Sequence, residues 1–149
     1  MAKQSDPDLH AKIVSLCERG DELVNQENFA EAVPIYSEAW SLLPEPKNDW
    51  EASTWILSAL GDAYFFLRNH EHALKMFLEV IQSPEGLGNP FIHLRLGECY
   101  YELGDTTKAG DELTRAYMAG GKELFAKEDA KYFALVSRAL KPPVGKKEL

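Results

Sequence analysis

Apolar side chains recur three and four residues apart along almost the whole chain, and strict alternation is nearly absent, so the pattern predicts helices and no sheet. Asp6 followed by Pro7 reads as a cap and a first helical residue, and Leu9, Ile13, Leu16, Leu23 and Val24 continue one face to about Gln26. Asn28 caps a second helix carrying Phe29, Ala32, Val33, Tyr36, Ala39, Trp40 and Leu43. Pro34 is tolerated in its first turns, and Pro44-Glu45-Pro46 ends it. A third helix, from about Asp49 to Arg68, is apolar on several sides through Trp50, Trp55, Ile56, Leu57, Leu60, Tyr64, Phe65 and Phe66, which predicts a central place. Asn69 caps a fourth, carrying Ala73, Leu74, Phe77, Val80 and Ile81 before the breaker stretch Ser83 to Gly88. Asn89-Pro90 repeats the cap-then-proline start for a fifth helix from Phe91 to Leu103, ended by Gly104. Asp105 caps a sixth that runs to the Gly120-Gly121 stop. Leu124, Phe125, Phe133, Val136 and Leu140 outline a last amphipathic helix, broken near Asp129 and ended by Lys141-Pro142-Pro143, with residues 142–149 expected as a flexible tail.

Gly20, Gly61 and Gly97 each fall inside a predicted helix, where glycine costs about 1 kcal/mol relative to alanine, so a packing reason is required. Twelve residues after each comes Ala32, Ala73 or Ala109. Sixteen after comes Tyr36, Phe77 or Leu113, and nineteen after comes Ala39, Val80 or Ala116. Three residues after each glycine stand Leu23, Tyr64 and Tyr100, and four before stand Leu16, Leu57 and His93. Small residues let helix backbones meet while large ones fill the space beside them, and offsets held three times over mark a repeat.

These offsets resemble the tetratricopeptide repeat, a helix-turn-helix unit of about 34 residues. The resemblance covers Ile13 to Gly121, with Arg19, His93 and Val80 as departures. The glycine-to-glycine steps of 41 and 36 residues place insertions in the 45–53 and 84–89 connections. It implies an all-α fold of three helix-turn-helix repeats, about 13–44, 54–85 and 90–121, closed by a capping helix at about 122–140. Together these form one domain over 1–141, wound as a short right-handed superhelix.

In tetratricopeptide proteins the remaining stripe of each first helix lines a groove that holds the ligand. Carried over here, the stripe contains Val14, Cys17, Asp21, Val24 and Asn25, then Trp55, Ser58, Asp62, Phe65 and Phe66, then Phe91, Leu94, Glu98, Tyr101 and Glu102. The partner-binding candidates are Asp21, Asn25, Trp55, Asp62, Phe65, Phe66, Phe91, Glu98, Tyr101 and Glu102. One acid follows every glycine, and carboxylates beside aromatic rings suit a ligand with Lys or Arg on an apolar segment. The same side chains equally suit helix packing and solvation, and sequence alone leaves both readings open. Cys17, Asp21 and Ala59 stand where family members that clamp a terminal carboxylate carry lysine, arginine and asparagine, so such a clamp is disfavoured.

Composition narrows the function class. A formal net charge of −8 and 45% hydrophobic residues in 149 describe a soluble globular domain with no basic face for nucleic acid or an anionic membrane. No apolar run approaches the roughly 20 residues of a membrane span, and the polar start predicts no secretory leader, so the expected location is the cytoplasm. Cys17 and Cys99 lie far apart and predict buried thiols. His70 and His72 point about 200° apart on a helix, which predicts capping and surface roles. No catalytic, phosphate-binding or metal motif is present, so neither enzyme, cofactor nor metal is expected.

The expected partner is another protein with a basic or basic-apolar surface. Small acidic proteins of this kind resemble immunity proteins that mask basic toxin domains, and that reading is favoured by the charge and the self-capped array. A secretion-type chaperone, a scaffold or adaptor, and self-association as a homodimer through Trp50, Trp55 or the terminal helix are the open alternatives.

Overall fold

The computed structural model describes residues 7–83 and 86–140. Asp6, Pro84, Glu85, the Lys141-Pro142-Pro143 stop and the expected tail lie outside the described residues. Seven helices follow one another: α1 (Pro7–Asn25), α2 (Phe29–Ser41), α3 (Glu51–Phe66), α4 (His70–Val80), α5 (Pro90–Glu102), α6 (Thr106–Gly120) and α7 (Ala130–Ala139). Short 3-10 turns lie at Lys47–Asp49 and Lys122–Phe125, and the described residues contain no strand. The chain divides into two compact units, Met1–Gly88 and Asn89–Leu149. In the first, α1 packs on α2, α2 on α3 and α3 on α4; in the second, α5 packs on α6 and α6 on α7.

The three glycines mark where paired helices touch. A Cβ built at Gly20 would lie 2.5 Å from Cε1 of Tyr36, one at Gly61 2.6 Å from Cζ of Phe77, and one at Gly97 2.5 Å from Cγ of Leu113. Each clash is with the residue sixteen positions on. Any side chain at these glycines would force the pair apart. The alanines twelve residues on, Ala32, Ala73 and Ala109, are fully buried, as are Ala39, Val80 and Ala116 at nineteen. In the first unit this contact continues into a core of Ile13, Leu16, Leu43, Ala52, Ile56 and Leu60. The second unit builds its own from Leu94, Leu113, Ala116, Phe125, Tyr132 and Val136.

The turns inside the three helix pairs share one construction. Seven residues after each glycine the backbone enters the left-handed region, at Glu27 (φ 60), Arg68 (φ 63) and Gly104 (φ 90). The next amide donates back to the carbonyl three after the glycine: Asn28 to Leu23 at 2.8 Å, Asn69 to Tyr64 and Asp105 to Tyr100 at 2.9 Å. Asn69 and Asp105 then accept from the amides of His72 and Lys108. Asn28 differs from the expected cap: its side chain makes no capping bond, and its Nδ2 donates to Gln26.

One helix start departs from expectation. The third helix begins at Glu51, because Asp49 closes a 3-10 turn and Trp50 is extended at φ −91, ψ 139, its indole N–H donating to the Pro44 carbonyl at 2.7 Å. Trp50 therefore belongs to the connection. Lys47 completes it, its Nζ donating to the carbonyls of Trp40 and Leu43 near the end of α2. The predicted break near Asp129 is real, with Asp129 capping α7 through the amide of Lys131 at 3.0 Å. The longest buried run belongs to α5, where every residue from Ile92 to Cys99 is buried, His93, Arg95 and Glu98 included.

Candidate functional site

The stripe beside each glycine has a different fate in the two units. In the first, Asp21 stands on the exposed side of α1 and accepts a 2.6 Å hydrogen bond from the Tyr36 hydroxyl. The ring that fills the space at Gly20 thus reaches past it to fix the next residue. Burial, then the bond to Asp21, raises the Tyr36 hydroxyl, and Asp62 acts in the same direction. Cys17, one turn earlier on α1, is half-buried, and burial with Asp21 beside it pushes its thiol up to about 11, which leaves it a poor nucleophile.

Asn25 is exposed, while Asp62 and Phe65 are half-buried. The two most open aromatics of the first unit are also on this list, Trp55 at 42% and Phe66 at 48% exposed. Trp55 meets His10 edge-on with centroids 6.0 Å apart, Phe66 stacks on Phe29 at 5.1 Å, and Phe65 sits edge-on to Phe66 at 5.6 Å. Six of the ten predicted residues thus lie in this unit, four of them exposed and two half-buried.

In the second unit the same positions are taken up internally. Glu98 is fully buried, not on an open face. Its Oε1 accepts from Nη1 of Arg95 at 2.7 Å, and the same Nη1 donates to Oε1 of Glu128 at 2.6 Å. Arg95 also lies over the ring of Phe91, 4.7 Å from its centroid. One guanidinium faces two carboxylates, so burial, with Glu128 alongside, pushes Glu98 up to about 9 against the opposing pull of Arg95. Burial alone would raise Glu128 too, but the hydrogen bond from Glu98 and the guanidinium outweigh it and hold that carboxyl lowered. Oε2 of Glu98 has no hydrogen-bond partner among the described residues; protonated, the Glu98 carboxyl becomes the donor in the pair with Glu128.

Glu102 is half-buried, accepts from the Tyr132 hydroxyl at 2.7 Å and pairs with Lys131 at 2.8 Å. Tyr101 packs edge-on to Tyr132 at 5.3 Å under the Lys131 ammonium. Phe91, Glu98, Tyr101 and Glu102 are therefore engaged by Arg95 or by residues 128–132. The Arg95–Glu98 pair, three residues apart on one helix, is buried, and the contact of Arg95 with Glu128 spans 33 residues. His93 likewise has a partner the pattern did not reveal, its Nδ1 lying 2.9 Å from Oε2 of Glu112. His72 shares Oδ1 of Asn69, as a capping residue would, and His70 packs on Phe65.

Among the described residues no group of three or more His, Cys, Asp or Glu side chains converges as metal ligands would, and no helix is long and apolar enough to cross a membrane. A shallow open cleft between α6 and α7, lined by Thr106, Asp111, Arg115 and Arg138 among others, holds none of the predicted residues.

Residues 56–85, from Ile56 on α3 past the end of α4, match the family described as Tetratricopeptide repeat. The fold is similar to that of the Sgt2 TPR domain from Aspergillus fumigatus, with a TM-score of 0.67 at 18% identity over 97% of this chain and 91% of that one. It is also similar to the Yersinia enterocolitica type III secretion chaperone SycD, solved with a peptide of the translocator YopD, at a TM-score of 0.59 and 14% identity over 83% of each chain. No curated protein matches the sequence significantly. The class this defines is the tetratricopeptide-repeat fold, all-α and built of packed adjacent helix pairs. Within it, the α3–α4 pair is the repeat that the sequence match identifies.

Proposed function

We propose that the chain is a protein-binding module that acts by holding a partner, without catalysis, and that its role is that of a cytoplasmic immunity protein masking a basic toxin domain. The observation that carries this reading is the partly open face of the first unit, where Trp55 and Phe66 stand exposed and Asp21, Asn25, Asp62 and Phe65 share the stripes that contain them. Rings supply contact area at small entropic cost, and carboxylates beside them select Lys or Arg on the partner. The formal net charge of −8 steers a basic partner toward the whole surface. Phe91, Glu98, Tyr101 and Glu102 remain part of the proposed stripe, but their engagement with Arg95 and residues 128–132 favours the first unit for the stronger contacts.

A second reading, a secretion-type chaperone, is favoured by one specific likeness: the SycD structure holds a translocator peptide. Calorimetry with the product of the adjacent gene separates the two. A folded basic domain bound at nanomolar Kd supports immunity, and binding of an extended segment alone supports the chaperone. Trp55→Ala with Asp62→Lys should weaken either complex about tenfold or more while far-ultraviolet circular dichroism stays unchanged. Unchanged affinity in that double variant removes the stripe as the site.

A further inference from the structure

We propose that the turn end of the first unit is a docking surface for a basic-apolar segment of a protein partner, built on the rings of Phe29, Phe66, Phe65 and His70. It rests on the protein-binding reading and shares Phe65 and Phe66 with the α3 stripe, but it carries the contact past that stripe onto the edge where the helix pairs turn.

The α1–α2 and α3–α4 turns bring together the first residue of α2, Phe29, the last residues of α3, Phe65 and Phe66, and the first residue of α4, His70. Their ring centroids lie 5.1 Å (Phe29 to Phe66), 5.6 Å (Phe66 to Phe65) and 5.4 Å (Phe65 to His70) apart, a continuous array across both turns. Rings that fix one another lose little freedom when a partner covers them. Phe66 is 48% exposed, and the next residue, Leu67, is 42% exposed, so the array has an open apolar end.

Charge selects the occupant. Residues 22–31 contribute Glu22, Glu27 and Glu31, and residues 65–72 contribute Glu71 against one cation, Arg68; all five are exposed. Glu31 and Glu71 also complement the N-termini of α2 and α4. Glu27 does not, and it stands at φ 60, where glycine would cost the backbone less. A segment with a large apolar side chain between Lys or Arg residues would seat that side chain on Phe66 and Leu67 and bring its cations to the glutamates and ring faces. The same charges repel nucleic acid.

The test titrates the full 15N-labelled chain with a synthetic peptide alternating lysine with phenylalanine and leucine, and with its charge-reversed counterpart carrying glutamate for lysine. Saturable amide shifts over residues 27–31 and 65–71 with the lysine peptide alone are expected. Glu22→Lys with Glu27→Lys, which leaves the rings intact and suits the C-terminus of α1, should weaken that binding about tenfold and flatten its salt dependence. Shifts confined to the inner stripes around Asn25 and Trp55, with affinity unchanged in the charge variant, would overturn the edge surface while leaving the protein-binding reading intact. Equal binding of both peptides, or of neither, would also overturn it.

Discussion

The two units treat the residue after the repeat glycine in opposite ways. In the first, Asp21 stays at the surface, where the hydroxyl of the tyrosine sixteen positions after Gly20 reaches it. In the second, Leu113 fills the matching space against Gly97 and offers no hydroxyl. Glu98, one methylene longer than aspartate, turns inward to Arg95 and so to Glu128 in the C-terminal segment. One position in the repeat thus yields an exposed acid at Asp21, a half-buried one at Asp62 and a core ion cluster at Glu98. The first unit leaves Asp21, Trp55 and Phe66 exposed; the second uses the matching residues to fasten its own α7.

The largest test of this contrast is removal of the buried cation. Arg95→Ala leaves Glu98 and Glu128 facing each other inside the second unit without their cation, and breaking a buried ion cluster from one side costs about 3–5 kcal/mol. Asp21→Asn in the first unit keeps an acceptor for the Tyr36 hydroxyl and should cost about 1 kcal/mol or less. Urea unfolding of both variants reads the difference directly. Similar losses would mean that the two acids are equally structural.

A smaller effect carries a sign in pH. Glu98 is raised from 4.5 to about 9, so the folded chain holds a proton that the unfolded chain releases. Below about pH 4.5 both states are protonated and nothing is lost. As pH climbs from there toward about 9 this group progressively lowers stability, and above that it lowers it no further. Glu98→Gln keeps an amide that accepts from Arg95 and donates to Glu128. Its melting temperature should match the parent near pH 4 and exceed it increasingly up to about pH 9. A constant offset across that range would show that Glu98 is ionised in the folded chain.

How much of this was legible in the sequence depends on how far each contact reaches. The glycine register could be read directly, because a helix pair writes its close approach as small and large residues at fixed offsets, and Gly20, Gly61 and Gly97 meet the side chains those offsets name. Trp50 could not be placed, since an indole on an apolar stripe looks like helix until its N–H is seen to close a connection on Pro44. The open face of the first unit follows from the stripe. The closed one in the second does not, because hydropathy assigns Arg95 and Glu98 to water. Only the fold brings Glu128, Lys131 and Tyr132 back to α5. The one visible hint was the three-residue spacing of Arg95 and Glu98.

The finest comparison lies in the turns, where one left-handed position is filled by Glu27 and Arg68 in the first unit and by Gly104 in the second. A left-handed residue with a side chain costs roughly 1–2 kcal/mol, while glycine loses about 0.5–1 kcal/mol more chain entropy on folding than alanine does. Arg68→Gly should therefore stabilise the chain by a few tenths to about 1 kcal/mol. For a chain of this size that raises the melting temperature by about 1–3 °C. Gly104→Ala runs the substitution backwards: nothing lies within 4 Å of a Cβ built there, so its loss of about 1 kcal/mol reports backbone strain alone. If calorimetry shows Gly104→Ala to be costly and Arg68→Gly to be neutral, the Arg68 side chain contributes stability that offsets its strain. A gain on Arg68→Gly with tighter binding of the lysine peptide would instead tie that charge to recognition at the turn edge.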